Sequence, residues 1–164
     1  MLELGLTESD LNRLLKHVAG TDLYFENRQI IGRVDLVLGS SMDIRALLVT
    51  ESDMAALQVE YSSMKTSSLG GLGSLLGSAA RLSWPILKPK VEKALRDLEL
   101  RMELPAQCLE LTSYDSYFQI AFCLADLNGA LARQFWMGHQ FQLRGLMWQG
   151  SRLSLRLESG LMAL

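Results

Sequence analysis

The sequence predicts an α+β domain, a curved antiparallel sheet of roughly seven to nine strands packed on two helices. Three observations carry that expectation. Two segments place apolar residues at helical spacing, several others alternate apolar with polar residues, and clusters of Gly, Pro, Asn and Asp fall between them. Nothing in the pattern divides the chain, so residues 1–164 are read as one α+β domain.

The first helix is announced by Thr7-Glu8-Ser9-Asp10, a capping hydroxyl followed by acids that suit the helix dipole, and then by Leu11, Leu14, Leu15 and Val18 on one stripe. It is expected to end near Gly20. From Gln29 the period becomes two, with Val34, Leu36 and Leu38 alternating with Arg33 and Asp35. Met42 to Thr50 and Ala56 to Lys65 flank the polar link Glu51-Ser52-Asp53 and read as an antiparallel hairpin. A Gly, Ser and Leu segment follows, from Thr66 to Ser78. Pro85 and Pro89 then precede or open a second helix, with Leu87, Val91, Ala94, Leu95 and Leu98 along one stripe and Glu92 and Arg96 on the wet side.

Leu98 to Leu104 alternates without a fault up to Pro105, which reads as a strand with Glu99 and Glu103 on its charged face and Arg101 between them. Gln107 to Thr112 and Tyr117 to Leu124 suggest two more strands. Asn128-Gly129 favours a hairpin turn, and a helix from Asp126 to Phe135 through Leu127, Leu131 and Phe135 is the alternative. The chain closes with Phe141 to Trp148, a turn at Gln149-Gly150-Ser151, and Arg152 to Glu158, leucines on one face and charges on the other. Asp10-Leu11-Asn12-Arg13-Leu14-Leu15 is echoed by Asp126-Leu127-Asn128-Gly129-Ala130-Leu131, a likeness too short on its own to establish duplication.

Composition excludes several functions. With 49% hydrophobic and 21% charged residues, three prolines and a formal charge of −2, the chain is neither a disordered tail nor a basic nucleic-acid binder. The longest charge-free stretch, Thr66 to Ala80, is too short and too rich in Gly and Ser for a span that needs about 20 apolar residues. The opening residues lack the basic and long apolar regions of a secretory signal. A complete chain is therefore expected in the cytoplasm, and one whose leader was removed in the cell envelope. Cys108 and Cys123 stand in apolar segments and read as reduced, buried thiols.

Chemistry-bearing patterns are absent. His17 and His139 are the two imidazoles, and neither stands in a setting that would activate a serine or cysteine. No metal-ligand spacing occurs, and the glycines from Gly70 to Gly77 lack the lysine and spacing of a phosphate loop. The expectation is no enzyme, no cofactor and no metal. What remains unusual is apolar content around those glycines: Leu69, Leu72, Leu75 and Leu76, then Leu82, Trp84, Ile86 and Leu87. Charge is also uneven: the first sixty residues are acidic, while Arg133, Arg144, Arg152 and Arg156 face Glu158 alone near the C-terminus.

The order of elements resembles the bacterial relatives of the tubular lipid-binding proteins. The likeness lies in the helix entry Leu6 to Leu15, the strands Ile30 to Leu38 and Met42 to Lys65, and the Pro-containing helix Trp84 to Leu98 leading into strands. It covers residues 6–124, and the aromatic, basic segment from Phe135 to Leu164 departs from it. The resemblance implies a bent sheet around a long helix, with an apolar groove for acyl chains. From it and from the apolar surplus we expect non-enzymatic binding of a lipid or other apolar ligand. Leu87, Val91, Leu95, Phe118, Ile120 and Phe122 would line the groove, with Leu72, Leu76 and Trp84 at its mouth. The alternative is a protein-interaction or self-assembly module using exposed apolar surface and sheet edges. Expected partners are thus an apolar small molecule, a membrane touched peripherally or a second copy of the chain, and not nucleic acid.

Overall fold

A computed structural model describes residues 1–19, 22–36, 40–51, 53–66, 76–134 and 141–159. In chain order the elements are β1 (Leu2–Leu6), α1 (Glu8–Ala19), β2 (Leu23–Glu26), β3 (Gln29–Leu36), β4 (Ser40–Glu51), β5 (Met54–Glu60) and, after a 3-10 turn, the two-residue β6 (Lys65–Thr66). Then come α2 (Leu76–Arg101), β7 (Glu110–Ser113), β8 (Tyr117–Cys123), α3 (Leu124–Gln134), β9 (Phe141–Gln149) and β10 (Arg152–Ser159). The fold is α+β with antiparallel strands throughout.

The strands divide into two sheets rather than one. The larger runs β2-β3-β4-β5-β8-β7, with β6 added to β4, and the smaller runs β1-β10-β9. The expected hairpins, β4 with β5 and β9 with β10, form. The second arm of the first is a strand only to Glu60, where the 3-10 turn Tyr61–Ser63 interrupts the expected run to Lys65, and the second hairpin carries a bulge between Arg156 and Leu157. Two short strands, β1 and β2, were not foreseen, because four or five residues carry too little alternation to be seen.

Thr7 and Asp10 cap α1 reciprocally. The Thr7 N–H and hydroxyl donate to Asp10 Oδ2 at 3.0 and 2.6 Å, and the Asp10 N–H donates back to Thr7 Oγ1 at 3.3 Å. These bonds, the hydroxyl first, hold the Asp10 carboxyl below its usual range.

Three expectations are corrected. First, the prolines do not open the second helix: α2 starts at Leu76 and contains both. Pro85 and Pro89 are four apart and exposed, so the carbonyls they leave unpaired can turn to water. Second, Leu98 to Leu104 is not a strand, since α2 continues through Arg101 and the Met102 N–H donates to Leu98 O at 2.9 Å. Tertiary burial overrides the alternation: Glu99 is 3% exposed, and Leu100, on the supposed apolar face, is 77% exposed. Glu92 pairs with Lys88 at 3.9 Å, while Arg96 turns to Glu99. Third, Asn128-Gly129 lies inside a helix, α3, and not in a hairpin turn. The Leu127, Leu131, Phe135 spacing was the better signal up to Gln134, where α3 ends.

Among the described residues, two apolar clusters fill the interior. In one, Trp84, Val91 and Leu95 of α2 pack on Ala46, Val59 and Phe118 of the larger sheet. In the other, Leu143 and Leu153 of the smaller sheet, Leu11 of α1 and Leu124 pack on Phe25, Leu48 and Ala55 of the larger. The Trp148 indole N–H donates to Leu48 O at 3.0 Å and ties sheet to sheet. The helix and the smaller sheet thus cover neighbouring parts of one face.

Candidate functional site

Cross-strand register orders that face into rows. Ala46, Val59 and Phe118 stand side by side, and each is at most 3% exposed. Trp84 of α2 stacks on Phe118, with centroids 4.4 Å apart and planes at 16°, and Tyr61 leans on both rings. The Trp84 indole N–H donates to Ser113 Oγ at 2.9 Å, which fixes the helix to β7.

The next row is Leu48, Leu57, Ile120 and Leu111. Leu48 is buried, but Leu57, Ile120 and Leu111 are only partly covered. Beyond it Ala55 is buried and its neighbour Phe122 is again partly covered. Ile30, Leu57 and Phe122 pack against both clusters. These residues form an apolar seam between what α2 covers and what the smaller sheet covers.

Of the residues expected to line a groove, Trp84, Leu87, Val91, Leu95, Phe118, Ile120 and Phe122 come together here. Trp84, Val91, Leu95 and Phe118 are buried in the α2 cluster, while Leu87, Ile120 and Phe122 are partly covered at its border. Leu72 lies outside the described residues. Leu76 is the first residue of α2, and its side chain is outside what is described.

The opposite face of the larger sheet mixes charged and polar side chains with exposed apolar ones, among them Tyr24, Leu47 and Met54. A concavity of about 450 Å³ there is lined by Tyr24, Ile31, Arg33, Asp43, Arg45 and Ser63, among others. Arg33 Nε meets Asp43 Oδ1 at 2.9 Å within it, both side chains about half exposed. This is the chemistry of a solvated sheet surface.

Among the described residues, the buried charge is Glu99. Its carboxylate accepts from the N–H groups of Leu109 at 2.9 Å and Gln107 at 3.2 Å and from Arg96 Nη1 at 2.6 Å, while Arg96 Nη2 donates to Leu109 O at 2.7 Å. Burial works against the charged form, but the two backbone donors and the guanidinium outweigh it, and the Glu99 pKa stays below the ordinary glutamate value. Glu99 therefore latches the end of α2 to the start of β7, a structural role that the expected salt-bridged strand face did not anticipate. Burial, and next the Glu99 carboxylate, push the Cys108 thiol up, which disfavours its thiolate.

His139 lies outside the described residues, and His17 is on α1 with its side chain outside them. Among the described residues no three His, Cys, Asp or Glu side chains are grouped to hold a metal, and no helix is long and apolar enough to cross a membrane. Comparison with protein-family models, with curated proteins and with solved structures finds no match.

Proposed function

We propose that this chain binds a lipid or another ligand with an apolar chain, without catalysis, along the seam between α2 and the smaller sheet. The observation that supports the reading is the incomplete cover of Leu57, Ile120 and Phe122 on a face whose neighbouring Ala46, Leu48, Ala55, Val59 and Phe118 are sealed. An acyl chain laid there would remove that surface from water, gaining about 0.8 kcal/mol for each buried CH₂. Affinity would then follow chain length, with few polar contacts needed. The likeness to the tubular lipid-binding proteins belongs to the same proposal.

Native mass spectrometry of protein purified from cells tests it. The reading expects a second species, heavier by one lipid and reduced to the bare chain by organic extraction. Bare chain alone, both as purified and after incubation with fatty acids and phospholipids, would refute it.

A further inference from the structure

Four strands bound the two sheets: β2 and β7 the larger, β1 and β9 the smaller. Three are engaged by helices. On β2, Asn12 of α1 bonds both backbone groups of Phe25, and on β9, Asn128 of α3 bonds both of Leu143. Each amide thus occupies positions that a further strand would use. β7 is tied to α2 through the Ser113 hydroxyl, which accepts from Trp84, and Leu109, the residue just before the strand, accepts from Arg96. The outer edge of β1 has no partner strand among the described residues, and Leu2 and Leu4 on it are 45% and 42% exposed.

The fold itself contains the arrangement this edge would accept. β1-α1-β2-β3 and β8-α3-β9-β10 are two copies of one strand-helix-hairpin order, which makes β1 the counterpart of β8. β8 has β5 on one side and carries β7 antiparallel on the other. β1 has β10 on one side and, among the described residues, lacks the counterpart of β7.

We propose that β1 pairs antiparallel with β1 of a second copy about a two-fold axis at Leu4, which joins the smaller sheets into one of six strands. The register is self-complementary. Leu2 faces the second Leu6 and Leu4 faces its own copy, so leucine meets leucine on the inner face. There they extend rows already made of Leu2, Leu157 and Leu143, of Leu4, Leu155 and Leu146, and of Leu6, Leu153 and Trp148. On the other face Glu3 meets Gly5 rather than Glu3, so no like charges are opposed. Two identical edges satisfying each other also form a closed, isologous pair that leaves no β1 edge for further growth. This inference does not depend on the lipid reading.

Light scattering during size-exclusion chromatography, run from micromolar to millimolar protein, reads the mass of the native chain. A monomer that becomes a dimer as concentration rises is expected, and a monomer throughout overturns the proposal. Register is read by oxidation in a Cys108→Ala, Cys123→Ala background. Opposed residues lie about 4.5–5.5 Å apart at Cα, within disulfide reach, whereas two Leu2 positions would be about 13 Å apart. Leu4→Cys should therefore crosslink at least about tenfold faster than Leu2→Cys. Equal rates, or no crosslink in Leu4→Cys that keeps the native circular-dichroism spectrum, overturn it.

Discussion

Asn12 and Asn128 grip the chain identically from two ends of the sequence. Asn12 Nδ2 donates to Phe25 O at 3.1 Å and its Oδ1 accepts from the Phe25 N–H. Asn128 Nδ2 donates to Leu143 O at 3.0 Å and its Oδ1 accepts from the Leu143 N–H at 2.8 Å. Phe25 and Leu143 are both buried, each the third residue of the strand that follows its helix. The two hairpins meet at their turns, where Arg28 Nε donates to Gly150 O at 2.9 Å. Each copy begins in one sheet and ends in the other, so the copies are interlaced rather than placed side by side.

Replacing either asparagine with alanine strands a backbone donor and acceptor at a buried residue. Asn12→Ala and Asn128→Ala should each cost about 1–3 kcal/mol in urea unfolding. The two sites share no bonding partner, so the double variant should lose close to the sum. A loss below about 0.5 kcal/mol for both would show that water replaces the amide freely.

Glu99 predicts how stability depends on acid. Its carboxyl binds a proton less readily in the folded chain than in the unfolded one, where the pKa is about 4.3. The stability it supplies is complete above that unfolded value and drains away as pH falls through the lower folded value. Glu99→Gln should cost about 1–3 kcal/mol at neutral pH, because the amide cannot accept from all three donors. The gap between native chain and variant should close at low pH, where the protonated acid resembles the amide. Unfolding curves at a series of pH values check this, and a gap independent of pH contradicts it.

Gly32 stands where a side chain has no room. Its φ is +147°, and a Cβ there would lie 1.9 Å from the carbonyl oxygen of Asp22. Gly32→Ala should therefore destabilise the β2-β3 pairing by about 3 kcal/mol or more, read as a lowered thermal midpoint.

Trp84 couples α2 to the larger sheet through both its ring and its N–H. Trp84→Phe keeps a ring on Phe118 but leaves Ser113 without its donor, and should cost about 1–2 kcal/mol less than Trp84→Ala, which loses about 3–5 kcal/mol. Chemical unfolding of the pair measures the difference.

Where side chains follow a strong period, the sequence was informative. The α2 stripe from Leu87 to Leu98 and the leucine alternation of β10 both predicted the faces that pack. The misreadings came where one residue serves a distant partner. Glu99 alternates with leucines as a strand residue would, yet its carboxylate is committed to N–H groups eight and ten residues ahead. Asn128 precedes glycine as in a turn, yet its amide is taken by Leu143. The Asp-Leu-Asn echo carried little weight as text because those residues are common. Its meaning lies in the backbone groups that each asparagine holds. The candidate seam was half legible: of the expected lining, Leu87, Ile120 and Phe122 stand at its border while Trp84, Val91, Leu95 and Phe118 are buried in the α2 cluster, and Leu57 and Ile30 emerged only from the register that sets them between the two clusters.

The partly covered patch of Leu57, Ile120 and Phe122 is proposed to receive an apolar chain. The direct measurement is calorimetric titration with saturated fatty acids of increasing length, each kept below its micelle concentration. Each added CH₂ is expected to tighten binding about fourfold, following about 0.8 kcal/mol per group, until the seam is full. Binding that is absent at every length, or unchanged from one length to the next, would contradict it.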